Sequence, residues 1–253
     1  THINVEIFIP HYKIKIPDTY PSIKNKNGRQ NEYCYLTIRK GVYIAQFKTH
    51  DLAIFSYYIE SNKECYIIDP TFDDIIYKKF IKQRGSTLKY VALTHYHADF
   101  LSAHADLGVP VIMGEKAKRS VNQFNLMELK DNEKFKVGKF RPELWPHPAI
   151  PQKVHVLFLP MKMENSFASH GDTVFLREVG RPDLAVSSNI SSADLAGMLY
   201  DSIQKIKALD KSLRIYPGHG SGSACGKSIG AGNFCTLGAQ HENNYGFLIK
   251  ERK

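Results

Sequence analysis

The run Thr94-His95-Tyr96-His97-Ala98-Asp99 follows directly on the apolar stretch Tyr90 to Leu93 and sets two imidazoles and a carboxylate at alternate positions. In a loop leaving a strand end, such donors converge on one cation, and an imidazole and carboxylate set suits Zn or non-haem Fe(II). Gly171-Asp172 offers a second carboxylate ahead of another strand-like run, and Pro217-Gly218-His219-Gly220 places a further imidazole after one. His95, His97, Asp99, Asp172 and His219 are therefore candidate metal ligands. The same residues also suit plainer duties, the imidazoles as loop donors and the carboxylates as caps. Cys225 lies in a glycine-rich loop from Gly218 to Gly232. It reads either as a reactive thiol or as a small packing residue.

These donors need a scaffold, and the hydrophobic pattern supplies one. Val42 to Phe47, Ile54 to Ile59 and Cys65 to Ile68 read as strands, and Asp73 to Gln83 as an amphipathic helix. Tyr90 to Leu93 and Val109 to Met113 are further strands, with a helix expected over Asp99 to Leu107 between them. Val154 to Leu159, Thr173 to Leu176 and Leu213 to Tyr216 complete the strand set. Ser191 to Leu209 reads as a helix capped by Ser191 or Ser192, with Leu195, Met198, Leu199, Ile203 and Ile206 along one face. Residues 1–41, with Pro10, Pro17, Pro21 and a turn at Asn25 to Gly28, read as an extended N-terminal arm. Residues 42–253 read as the folded domain.

Composition narrows the class. A chain of 253 residues with 43% hydrophobic residues buries a core without staples, and its 4 Cys are too few and scattered for a disulfide scaffold. No apolar run approaches the roughly 18 residues of a membrane span. The net charge of +9 is spread over small groups such as Lys78, Lys79, Lys82 and Arg84, and Lys205, Lys207 and Lys211. That pattern belongs to solvated helix faces, so no nucleic-acid partner is expected.

Three segments carry a more specific signal: Thr94 to Phe100, Val179-Gly180-Arg181-Pro182-Asp183-Leu184, and Gly218 to Lys227. Together they resemble the persulfide dioxygenases of the metallo-β-lactamase fold, of the kind often fused to rhodanese, over about residues 42–248. The resemblance implies an α/β fold, the metallo-β-lactamase-type four-layer αβ/βα sandwich. It also implies one Fe(II), held by two His and one Asp, at which glutathione persulfide and O₂ yield sulfite and glutathione. His95 and Asp172 would be two of the ligands, with His97, Asp99 and His219 as neighbours that orient ligands and bound water. Arg181 would stand at the mouth, bound to a substrate carboxylate or paired with Asp183, and Cys225 would lie close by.

The sequence departs from that family at one place. The second His ligand falls in a Thr-Pro-Gly-His-Thr-Pro segment, which aligns on His147 to Gln152 and puts Ile150 at the ligand position. His147 or His97 would have to replace it. Arg177 takes the place of a usual Gly, His170 that of a small residue, and Phe100 that of the second-metal His in dinuclear hydrolases of this fold. The expectation is a pseudoenzyme with an impaired iron site, kept as a subunit of a larger assembly through residues 1–41. The alternative is an active glutathione persulfide dioxygenase. The resemblance and the free cysteines point to a mitochondrial location, with a cytoplasmic one as the alternative.

Overall fold

The computed structural model describes residues 23–24, 30–39, 41–49, 52–115, 124–145, 156–159, 167–169, 171–186 and 190–252. Eight strands form a first sheet in chain order: β1 (Ile23–Lys24), β2 (Gln30–Arg39), β3 (Val42–Thr49), β4 (Ile54–Ser61), β5 (Glu64–Ile68), β6 (Thr87–Ala92), β7 (Val111–Gly114) and β8 (Leu126–Leu129). β1 to β5 pair antiparallel, and β5 to β8 parallel. A second sheet combines β9 (Glu143–Trp145), β10 (Val156–Leu159), β11 (Phe167–Ser169), β14 (Arg214–Tyr216) and β15 (Cys235–Thr236), in the order β15-β14-β11-β10-β9. A small hairpin pairs β12 (Val174–Phe175) with β13 (Glu178–Val179).

Alternation along the central strands decides what each face covers. Phe55, Tyr57 and Ile59 of β4 join Tyr66 and Ile68 of β5, Leu144 of β9 and Tyr216 of β14 in a core between the two sheets. Tyr58, Cys65 and Ile67 point the other way, onto Ile76, Tyr77 and Phe80 of α1 (Asp74–Arg84). Behind the second sheet, Ala168 and Ile215 pack on Ile203 and Ile206 of α2 (Ser192–Lys207), Leu237 of α3 (Leu237–Asn243) and Phe247 of α4 (Tyr245–Leu248). Helix, sheet, sheet, helix is the four-layer αβ/βα sandwich expected from the sequence.

The helix ends follow local chemistry. Asp73 caps α1 by accepting from the Ile75 N–H, and Gly85 ends it in the left-handed region at φ 60°. Ser191 and Asp194 form a reciprocal capping box on α2. The helix expected over Asp99 to Leu107 is absent, and turns and bends take its place. Its backbone is drawn elsewhere: the Ala103 N–H and the Ser102 hydroxyl both donate to the Pro70 carbonyl, at 3.2 and 2.9 Å. Within the expected arm, Gln30–Arg39 is strand β2, paired with β3 from Glu32 opposite Lys48 to Arg39 opposite Val42. The rest of that arm, apart from β1, lies outside the described residues. No helix among the described residues is long and apolar enough to cross a membrane.

Candidate metal centre

The site begins at Asp69, which ends β5 in the left-handed region at φ 47° and is 2% exposed. Its N–H donates to the Ala92 carbonyl, and its carboxylate accepts the Thr94 N–H at 2.8 Å and the Thr94 hydroxyl at 2.6 Å. The loop carrying His95 and His97 therefore hangs from one buried carboxylate. Burial opposes charge on Asp69, yet His97, His95 and the Thr94 hydrogen bond outweigh it and hold the carboxyl below its usual range.

Thr94 also decides the state of His95. Its only hydroxyl proton goes to Asp69, so its oxygen accepts from His95 Nδ1, 2.9 Å away. His95 Nε2 then presents a lone pair towards Asp172 Oδ2 at 3.5 Å. Burial disfavours charge on the ring and outweighs the pull of Asp172, so the His95 pKa lies below the ordinary value. A lone pair facing a carboxylate oxygen needs a cation between them. Two donors each about 2.1 Å from one ion at a tetrahedral angle stand about 3.4 Å apart, so the pair fits a shared metal.

His97 is packed between His95 and Phe100, with ring centroids 4.1 and 4.2 Å away. Its Nε2 lies 3.1 Å from Asp69 Oδ1 but out of hydrogen-bond alignment, and neither of its buried ring nitrogens has a hydrogen-bond partner among the described residues. His147, Ile150 and His170 lie outside the described residues.

The opposite wall comes from the second sheet. His219 follows β14 and is fully buried. Backbone bonds from Phe55 to the Gly218 carbonyl (2.8 Å) and from Gly220 to the Ala53 carbonyl (2.7 Å) fix its loop against β4. The buried Tyr57 hydroxyl donates to the Pro217 carbonyl in the same loop. The crossing is tight. A Cβ on Gly218 would stand 3.3 Å from Asp172 Oδ1, and one on Gly180 only 1.8 Å from the Asp172 carbonyl oxygen. Only glycine fits at Gly180 without displacing Asp172.

His219 uses both ring nitrogens. Nδ1 lies 2.7 Å from Asp172 Oδ1, and Nε2 2.9 Å from Asp99 Oδ2 and 3.8 Å from Cys225 Sγ. Burial resists charge on this ring too, but Asp172 and Asp99 outweigh it and push the pKa up to about 12. Asp172 in turn is held well below the usual carboxylate range by His95 and His219, against its own burial. Asp99 is lowered as well, His219 overcoming the burial of its carboxyl. Ligand atoms of Asp99, His219 and Cys225 all lie within 4.8 Å of one another, close enough to hold a metal ion.

Arg181 lines a small cleft with Asp172, Leu195 and Leu199, and its guanidinium pairs with Asp183, Nε to Oδ1 at 3.3 Å. Of the two roles open to it in the sequence, the Asp183 pair is the one formed here. Arg177 takes the left-handed region at φ 63°, a conformation that favours glycine. Cys225 is half-buried, and its N–H donates to the Ser223 hydroxyl at 3.2 Å. Sequence reasoning missed two carboxylates, Asp69 and Glu178. Glu178 accepts the Ser228 N–H at 2.8 Å and so anchors the loop of Cys225. For Asp69 the signal was there: an acidic residue ending the apolar run Tyr66-Ile67-Ile68, just before Pro70.

Residues 51–108 match the model of the metallo-beta-lactamase superfamily. The chain is 28% identical over 188 residues to the probable polyketide biosynthesis zinc-dependent hydrolase PksB of Bacillus subtilis, covering 69% of this chain and 76% of that one. Among solved structures it is similar to a metallo-beta-lactamase from Staphylococcus aureus, with TM-score 0.75 and 28% identity over 84% of this chain. The match spans 65% of the staphylococcal chain, just under two thirds of its length. ETHE1 from Myxococcus xanthus shares the fold at TM-score 0.62 and 19% identity, over 79% of this chain and 82% of that one. The match over residues 51–108 and the likeness to the staphylococcal structure agree on the metallo-beta-lactamase fold, which the described structure carries.

Proposed function

We propose that this protein is a diverged persulfide-dioxygenase-like member of the superfamily with an impaired iron site, retained as a non-catalytic subunit of a larger, mitochondrial assembly. The observation that carries the reading is the donor count. Among the described residues, His95 Nε2 and Asp172 Oδ2 face each other across the space for an ion, 3.5 Å apart, while the resemblance puts Ile150 at the third ligand position. A facial site needs three protein donors on one face. In the family, bound Fe(II) supplies the oxidising chemistry between O₂ and the persulfide. In this chain Thr94 fixes the tautomer of His95, His219 orients Asp172, and the Arg181 cleft flanks the carboxylate. Of the arm expected over residues 1–41, residues 1–22, ahead of the paired strands β1 and β2, are the proposed contact to other subunits.

A second reading rests on His97. Its ring nitrogens, without a hydrogen bond among the described residues and beside His95, offer a replacement third donor, which would leave an active glutathione persulfide dioxygenase. Metal content of the purified protein, followed by O₂ uptake with glutathione persulfide, separates the two. Substoichiometric iron without uptake, and iron that rises in Ile150→His, is the expected result. Stoichiometric iron with brisk uptake in the unmodified chain overturns the non-catalytic reading. For the assembly, deletion of residues 1–22 leaves β2 whole and should release the protein from its native complex. A monomer in both forms would sink that part.

A further inference from the structure

We infer that the end of the sandwich opposite the candidate metal centre, where Lys63, Lys89, Lys136, Lys139 and Arg141 gather, is a docking surface for an acidic segment of a partner protein. The argument starts at the hairpin that joins β8 to β9. Lys134 lies opposite Glu143 and Val137 opposite Phe140, with the Val137 and Phe140 amides exchanging bonds at 3.0 and 2.9 Å. Alternation buries Phe135, Val137 and Phe140 and turns Lys136 and Arg141 to solvent, with Lys139 exposed beside them at the tip.

The tip is firmly seated. Gly138 takes the left-handed region at φ 58°, and its N–H donates to Glu64 Oε2 at 2.7 Å. A Cβ there would stand 1.9 Å from the Ser61 carbonyl oxygen, so only glycine lets the hairpin press onto the turn between β4 and β5. That turn carries the exposed Lys63, and Lys89 reaches Glu64 Oε1 at 3.9 Å. Cations held on a fixed platform lose little backbone freedom when a partner binds.

The charge balance is one-sided. Glu60 is taken by Arg84 at 2.9 Å, and Glu64 divides its oxygens between the Gly138 N–H and Lys89. Lys63 Nζ donates to the Arg84 carbonyl at 2.7 Å, a neutral acceptor that leaves its charge in place. Lys134 pairs with Glu143 at 3.2 Å, but among the described residues no ion pair engages Lys136, Lys139 or Arg141. Unmatched positive charge concentrated in this way steers an anionic partner and fixes its register. β4 runs eight residues from Ile54, which is bridged to His219, to Ser61. The patch therefore lies about 23 Å from the candidate metal centre, and a partner docked on it leaves that centre open.

The surroundings choose the kind of anion. Stable membrane attachment needs an apolar anchor beside the basic patch. None of the large apolar side chains exposed among the described residues belongs to this one. A single-stranded nucleic acid needs rings to stack on, and Phe135 and Phe140 are turned inward. That the partner is a polypeptide rests on the proposed subunit role.

The test uses the full chain and a fluorescent peptide of ten glutamates, followed by polarisation. Lys136→Glu/Lys139→Glu/Arg141→Glu should weaken binding at least about tenfold, and the charge-matched Lys79→Glu/Lys205→Glu/Lys250→Glu about twofold or less. Binding should also weaken as salt is raised. No binding, or equal losses in the two triple variants, would overturn the proposal. So would tighter binding, with the same dependence on the hairpin, to vesicles of phosphatidylcholine and phosphatidylserine or to a DNA duplex. Should the variant fail to fold, carbodiimide crosslinking of the peptide to the unmodified protein still decides. Crosslinks should concentrate on Lys63, Lys89, Lys136 and Lys139, and an even spread over Lys79, Lys205 and Lys250 counts against the surface. Iron content, O₂ uptake and release by deletion of residues 1–22 do not enter these readings, so a failed subunit reading and a failed patch are told apart.

Discussion

His95 and His219 are both buried, both touch Asp172, and come out with opposite character. His95 has a pKa below that of an ordinary histidine, while His219 is pushed up to about 12. Burial is the leading influence on each and lowers both. The difference lies in what the second nitrogen meets. His95 spends Nδ1 on the oxygen of Thr94, a neutral acceptor, whereas His219 has a carboxylate at each end. Histidine character in this site is set by counting facing carboxylates and not by depth.

Removing the ring that carries the charge is the strongest way to break this contrast. His219→Ala leaves Asp99 and Asp172 without their cation and should cost about 3 kcal/mol in urea unfolding, whereas His95→Ala should cost about half of that. A reversed order would end the comparison. Asp69→Asn comes next. It weakens the acceptor for Thr94 and frees the His95 tautomer, at about 2 kcal/mol by the same measurement. A pair remote from the site gives the scale for ordinary ion pairing. Glu60 accepts from Arg84 at 2.9 and 3.2 Å, and against its own burial this holds its carboxyl below the ordinary 4.5. Its contribution is therefore complete above pH 4.5 and lost as the pH falls through the lower folded value. Glu60→Gln should flatten that acid limb of the stability–pH curve and cost about 1 kcal/mol after solvent screening. Least of all, Arg181→Ala should leave the unfolding midpoint where it is, because its pair with Asp183 stands in solvent.

The sequence showed the parts of this molecule that have a local cause. β3, β4, β5 and α1 follow from periodic apolar residues, and α2 from Ser191 with Asp194 three residues on. Two-residue strands carry no period: β12 was legible only inside the longer run Thr173 to Leu176, and β13 not at all. The helix expected after Asp99 failed because Pro70, far back in the chain, takes its donors. The site divides in the same way. Its histidines and Asp172 stand out by type and motif, but the bond from His219 to Asp99 joins positions 120 residues apart and exists only through the packing of two sheets. Asp69 escaped notice because its work, holding Thr94, is invisible until the strands are paired.

Asp172 has one consequence of a mechanical kind. Its two oxygens reach in different directions, Oδ2 to His95 beyond the end of β6 in one sheet and Oδ1 to His219 beyond the end of β14 in the other. The carboxyl thus works as a clasp between two halves, beside the backbone bonds that join Phe55 to Gly218 and Gly220 to Ala53. Neither half offers a complete set of donors until the layers have closed, so an ion bound here adds its binding energy to the adhesion of the sheets. Metal loading should then be readable as a rise in melting temperature.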